Sequence, residues 1–155
     1  MTTAVRPFAA ADKDACLTLF DSNVPRYFDS SERGDFAAFL DKPDGAYFVI
    51  EQDREICGCG GFVKEARGQA RFTWGMVDNA RHGSGLGRML AEYRLQAIEA
   101  SGAFEEAELF TTPQVAPFFA KFGFETVDVE IDGFAPGMDK VQMVRPLVSA
   151  ASEQP

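Results

Sequence analysis

Apolar positions along this chain recur with a period of two in some stretches and near 3.6 in others, and the changes of period mark its elements. Residues 3–7 read as a short first strand, closed by Pro7 and the small, polar run to Asp12. From Asp12 the positions Ala15, Cys16, Leu19 and Phe20 fall at helical spacing, and that helix stops near Ser22-Asn23. Val24-Pro25-Arg26-Tyr27-Phe28 is an aromatic connector. Ser30, Ser31 and Glu32 look like a helix start, and Phe36, Phe39 and Leu40 then line one face as far as Lys42-Pro43. Residues 46–50 are rich in β formers, Asp53-Arg54 makes a turn, and residues 56–63 form the next strand. Gly58, Gly60 and Gly61 inside it predict a bulge or close backbone packing. On regular alternation Cys57 and Cys59 share one face. A turn at Ala66-Arg67-Gly68 leads to a third antiparallel strand over residues 70–77.

The run Asp78-Asn79-Ala80-Arg81-His82-Gly83-Ser84-Gly85-Leu86-Gly87-Arg88 follows, with glycines at three alternate positions. Behind it the pattern predicts a long helix with Leu86, Met89, Leu90, Tyr93 and Ala97 on the apolar stripe. Arg88, Glu92, Gln96 and Glu99 are on the wet face, Leu95 is off the stripe, and Ser101-Gly102 ends the helix. Residues 107–110 read as a strand. A short helix follows, opening either at Thr112-Pro113 or only near Pro117, and closed by Gly123-Phe124. Residues 124–131 and 140–147 are the last two strands, joined by a loop over residues 132–137. One domain over residues 3–148 and a frayed tail over residues 149–155 complete the organisation.

The glycine loop carries the candidate chemistry. Glycine tolerates positive φ and close approach of a ligand to the backbone. Amides at a helix start have no intrahelical partner, and the helix dipole lies behind them, so the loop suits a phosphate. Arg88 stands where a dinucleotide fingerprint needs its third glycine, and Arg88-Met89 stand where a P-loop needs Lys-Ser/Thr.

A net charge of −9 argues against a nucleic-acid surface and is compatible with a cationic acceptor. No long apolar run predicts a membrane span or a secretory signal, and three cysteines make neither a disulfide framework nor a zinc site. The expected compartment is the cytoplasm.

His82-Gly83-Ser84-Gly85-Leu86-Gly87 resembles the acetyl-CoA-binding motif Arg/Gln-x-x-Gly-x-Gly/Ala of the GCN5-related N-acetyltransferases, with His82 in the Arg/Gln position. The ending Phe118-Phe119-Ala120-Lys121-Phe122-Gly123-Phe124 is similar to the aromatic-x-Lys-x-Gly-Phe close of that family's last helix. The resemblance implies an α/β (α+β) fold, with a central, mostly antiparallel mixed sheet flanked by helices and splayed between its fourth and fifth strands. It implies acetyl-CoA as cosubstrate, with no metal.

The same resemblance assigns the backbone of Met76 and Val77 to the pantetheine arm. The amides of Gly83, Ser84, Gly85, Leu86, Gly87 and Arg88 go to the pyrophosphate, and His82, Thr112 and Phe119 line the same site. His82 either faces the pyrophosphate or caps the loop through a ring nitrogen. Tyr27 and Phe28 in the connector and Trp74 on the fourth strand fall where an acceptor pocket is built, with core packing as the competing reading. The family's tyrosine general acid is replaced by Phe119, its asparagine by Thr112, and its fourth-strand glutamate base by the Thr73-Trp74-Gly75 region. No catalytic residue is therefore assigned.

The implied function is acetyl transfer to a primary amine of a small molecule, peptide or protein, by direct attack in a ternary complex. Because Phe119 cannot donate a proton, the second reading is an acyl-CoA-binding regulatory module with little turnover. Neither nucleic acid nor membrane is an expected partner, and a homodimer is compatible with the sequence.

Overall fold

Thr3–Pro7 (β1) runs antiparallel to Ala46–Gln52 (β2), with Val5 opposite Ile50, in the computed structural model, which describes residues 2–147. The expected end of the domain at residue 148 and the tail beyond it lie outside the described residues. The remaining elements are Lys13–Ser22 (α1), Arg33–Asp41 (α2), Glu55–Lys64 (β3), Gln69–Val77 (β4) and Leu86–Ser101 (α3). Glu106–Thr111 (β5), Ala116–Ala120 (α4), Glu125–Ala135 (β6) and Met138–Pro146 (β7) follow. The strands are ordered β1-β2-β3-β4-β5-β7-β6 in one mixed sheet. β4 and β5 pair in parallel, Gln69 to Arg71 against Glu106 to Glu108. β1–β2, β2–β3, β5–β7 and β6–β7 are antiparallel.

The chain divides into two compact units, one holding the residues up to Val63 with Thr73–Arg94, the other Lys64–Phe72 with the chain from Leu95 on. In the first unit α1 and α2 contribute Cys16, Leu19, Phe20, Phe36 and Leu40 to a core shared with Tyr47, Val49, Cys59 and Met76. Phe20 stacks on Phe28 at 4.9 Å and on Phe36 at 5.7 Å between ring centroids. Burying each such ring stabilises the fold by about 1.5–3 kcal/mol. The start of α2 is fixed by Asp29 rather than by the serines. The Asp29 carboxylate accepts from the Ser31 amide, and Glu32 Oε2 accepts from the Asp29 amide.

Two sequence expectations fail, one on β3 and one on α3. Cys57 and Cys59 do not share a face. The β2–β3 register shifts between Ile50 and Glu51, leaving Cys57 as the extra residue of a bulge. Cys59 then joins the core under α1, while Cys57 packs with Ile50, Val77, Leu86 and Leu90. The stripe of α3 is also rotated from the expected one. Leu86, Leu90, Ala91, Arg94, Leu95 and Ile98 are buried, whereas Met89 and Tyr93 are exposed. The charge at position 94 conceals the true face, because a pattern reading assigns arginine to water.

In the second unit Ala107, Leu109, Phe124, Val141 and Met143 are buried, and Phe72 meets Phe124 edge-on at 5.5 Å. Glu108 is also buried. Its carboxylate accepts from Arg71 Nε at 2.9 Å and from Gln142 Nε2 at 2.8 Å, so the charge is paired and both oxygens are bonded. β6 is longer than expected and runs through Ala135, which narrows the predicted loop to Pro136-Gly137. The β6–β7 register breaks between Glu130 and Ala135, and Asp132 takes φ 57° there. Asp132 Oδ1 accepts from the Gly137 amide at 2.7 Å, which closes the end of the hairpin.

Candidate active site

The glycine loop is built on anchors at both ends. At the end of β4 the Val77 carbonyl accepts from Asn23 Nδ2 at 2.9 Å and from His82 Nε2 at 3.0 Å. A carbonyl oxygen has two lone pairs, and both are engaged here. The turn Asn79–Arg81 starts on Asp78, whose carboxylate accepts from the Ala80 amide. Arg81 ties it back to β2 and β3 through Gln52 at 3.0 Å and Glu55 at 2.6 Å.

Gly83 and Gly85 then take φ 83° and 89°, and a Cβ placed on either meets nothing within 4 Å. These glycines are required by conformation and border open space. The Met89 amide bonds the Gly85 carbonyl at 3.0 Å, closing the first turn of α3. The amides of Leu86, Gly87 and Arg88 therefore stand in the first turn, without intrahelical acceptors and with the helix dipole behind them. The Leu86 side chain is buried and fixes that turn. Ser84, expected among the phosphate-facing amides, directs both its N–H and its hydroxyl at the Arg81 carbonyl. Arg88 pairs with Glu92 one turn on, so its side chain is drawn along the helix.

His82 is placed by its bond to Val77 and by an edge contact with Tyr27 at 5.1 Å. Since a carbonyl can only accept, Nε2 carries the hydrogen. This is the loop-capping geometry of the two that the sequence left open. Phe28 and Trp74 belong to the aromatic core, Phe28 on Phe20 and Trp74 against Phe36 at 4.9 Å. Of the three residues expected at an acceptor pocket, Tyr27 is the one with a ring contact to the loop among the described residues.

Sequence reading missed the support of β4 itself. Trp74 has φ 39°, a left-handed conformation that is costly for a bulky residue. Tyr47 Oη donates to its carbonyl at 2.8 Å, and burial pushes that phenol well above its usual range, so it remains a donor. Arg94 comes up from α3 beneath the next residue and is 2% exposed. Burial lowers the guanidinium to about 9, with Tyr47 and Cys59 opposing, and it stays protonated at neutral pH.

In the second unit Thr112 follows β5, and its carbonyl accepts from the amides of Val115 and Ala116 at 3.0 Å each. α4 therefore opens only at Ala116, and Pro117 sits in its first turn, where no amide bond is lost. The Thr112 hydroxyl is buried and has no hydrogen-bond partner among the described residues; the same holds for Thr73 Oγ1 on β4 in the first unit. Such a group costs about 1–3 kcal/mol unless something else bonds it. Phe119, on α4, makes edge contacts with Phe118 at 5.1 Å, Phe124 at 5.9 Å and Phe72 at 6.3 Å. No ring in that cluster carries a hydroxyl.

Residues 43–126, over half of the chain, match the family model of the acetyltransferase (GNAT) domain. No curated protein matches the chain. Among solved structures, the ribosomal-protein-S18-alanine N-acetyltransferase of Escherichia coli superposes with a TM-score of 0.81 at 15% identity, over 99% of each chain. Ard1 of Thermoplasma volcanium gives 0.79 at 16% identity, over 96% of this chain and all of that one. An aminoglycoside 6'-N-acetyltransferase in complex with coenzyme A gives 0.75 at 14% identity, over 94% and 97%. At these identities the likeness to each is one of fold.

Proposed function

This chain belongs to the GCN5-related N-acetyltransferase (GNAT) family, and we propose that it transfers an acetyl group from acetyl-CoA to a primary amine, by direct attack in a ternary complex. The observation that carries the reading is the pair Gly83 and Gly85, both at positive φ, both bordering open space, immediately before the N-terminus of α3. That arrangement leaves the amides of Leu86, Gly87 and Arg88 for a pyrophosphate.

Acetyl-CoA supplies an activated thioester, and the chain's part is to orient it and to receive a neutral amine. No general acid is assigned: position 119 is phenylalanine, packed among other phenylalanines. Orientation alone accounts for a large part of such a rate, and a CoA thiolate leaves without help more readily than an alkoxide. The acceptor is a small amine or the amine of a peptide or protein; the fold relatives named above include one of each kind.

The test is thiol release from acetyl-CoA across a panel of aminoglycosides, simple amines and peptides with free N-termini. Amine-dependent release supports the transferase. A second reading, motivated by Phe119, is an acyl-CoA-binding module of regulatory purpose. Tight CoA binding with no release on any amine supports that one instead.

A further inference from the structure

Arginine is among the residues least often buried, and Arg94 occupies a position of α3 that a leucine or methionine would fill at lower cost. The strands above it are shaped for it. Gly60 on β3 and Gly75 on β4 lie over the guanidinium, and Nη1 points at the Gly61 carbonyl at 3.4 Å. A Cβ added to Gly75 would sit 3.0 Å from both Nη atoms, and one on Gly60 would sit 3.3 Å from Nη1. A side chain at Gly75 would displace the fork, whereas one at Gly60 would first meet Leu90 and the Gly75 backbone, so Gly75 and the arginine form one arrangement.

Gly75 is where the arrangement meets function. It is exposed on its other side and follows Trp74, the residue held at φ 39°. From β2, Tyr47 Oη holds the Trp74 carbonyl; from α3, the planar guanidinium underlies Gly75. Met76 and Val77, the next two residues, are the main chain that the transferase reading gives to the pantetheine arm. A leucine would fill the volume but could not donate to Gly61 O, and its branched methyls would not present a flat face to a glycine backbone.

We infer that Arg94 is a positioning residue for acyl-CoA: it holds the kinked Trp74–Gly75–Met76 main chain in the form that receives the thioester arm. This rests on the transferase reading, and the two are separated by the choice of ligands. Full-chain wild type, Arg94→Met and Arg94→Lys are titrated by calorimetry with acetyl-CoA and with 3′-phospho-ADP, the nucleotide end of CoA without its arm. Amide exchange at Gly75, Met76 and Val77 is followed by NMR in the same samples. Arg94→Met is expected to lose at least tenfold in acetyl-CoA affinity while keeping 3′-phospho-ADP affinity within twofold, with faster exchange at those amides. Arg94→Lys, which keeps the charge but not the fork, should fall between.

Unchanged acetyl-CoA affinity and exchange in a folded Arg94→Met overturn the inference, as does an equal loss for both ligands. If Arg94→Met does not fold, Gly75→Ala replaces it, since its Cβ displaces the fork without removing it. The same selective loss is then expected, and an unchanged ratio of the two affinities overturns the inference. If wild type binds neither ligand, the transferase reading fails, and so does the assignment of an acyl arm to this segment.

Discussion

The side-chain amide of Asn23, at the end of α1, donates to the carbonyl oxygen of Val77, the last residue of β4, at 2.9 Å. Asn23 is 2% exposed, and its Nδ2 also donates to Leu19 O at 2.8 Å. One buried amide thus ties the helix that precedes the aromatic connector to the strand that leads into the glycine loop. Asn23→Ala leaves Leu19 O without this donor and Val77 O with His82 alone. It should cost about 1–3 kcal/mol in denaturant unfolding. His82→Ala, at an exposed residue, should cost less than about 1.5 kcal/mol. Because His82 is spent on the loop itself, CoA affinity should change with pH alike in wild type and His82→Ala; a difference between them would return the imidazole to the phosphate.

Gly85→Asp places a Cβ at φ 89° and a carboxylate beside the amides assigned to pyrophosphate. With nothing within 4 Å of that Cβ, the fold is burdened only by the backbone conformation, by about 1–2 kcal/mol. CoA affinity should fall further, by about 2–4 kcal/mol, through lost charge-assisted bonds and added repulsion. Calorimetry on a folded variant with wild-type affinity would remove the phosphate-loop assignment.

Phe119 packs against Phe72, Phe118 and Phe124 and carries no donor. Phe119→Leu should therefore leave turnover within about tenfold, or roughly 1.4 kcal/mol of barrier, once an acceptor is known. Phe119→Tyr introduces a hydroxyl at the family's acid position and should raise kcat without altering CoA affinity. A steep fall in kcat for the leucine variant, with folding intact, would mean that the ring itself orients the thioester.

Asp12 reports on acid stability. Arg6 grips its carboxylate with two bonds of 2.8 and 2.9 Å, and the Ala9 amide adds a third at 2.8 Å. The Arg6 guanidinium first, and the Ala9 amide after it, hold the Asp12 carboxyl below its usual range against the opposing effect of burial. A depressed carboxyl stabilises the fold fully above its unfolded pKa and loses that contribution as pH falls through the lowered folded value. Asp12→Asn should be about 1.5–3 kcal/mol less stable than wild type at pH 7. The gap should close as the medium is acidified below the ordinary carboxylate range, followed by urea unfolding at each pH. A gap that stayed constant with pH would assign the effect to packing.

The loop was legible because glycine encodes backbone: alternate glycines before a helical pattern leave few other conformations, and Gly83 and Gly85 adopt the one expected. Phe119 was legible because the absence of a hydroxyl is a property of the residue type. What sequence hid were places where one residue changes the parity of its neighbours. The bulge at Cys57 sends two cysteines to opposite sides, and no local residue type announces it. Arg94 hid the buried face of α3 because its burial depends on glycines some twenty and thirty positions away. The hydroxyls of Thr73 and Thr112, buried without a partner among the described residues, were equally invisible, since pairing is a fact of three dimensions.

β6 closes one side of the sheet, and Val127, Val129 and Ile131 are 55%, 46% and 72% exposed along it. An open strand edge of this kind is a template for another extended chain. Glu125, Asp128, Glu130 and Asp132 occur along the same strand, so a second copy laid against it brings like charges together. Colloidal behaviour is thereby placed under the control of ionic strength. At about 1 M salt the reach of charge shrinks to about 3 Å, and that repulsion fades while apolar association does not. Concentrated stocks of this protein should keep best in dilute buffer, and the first species to form on salting should be joined through β6.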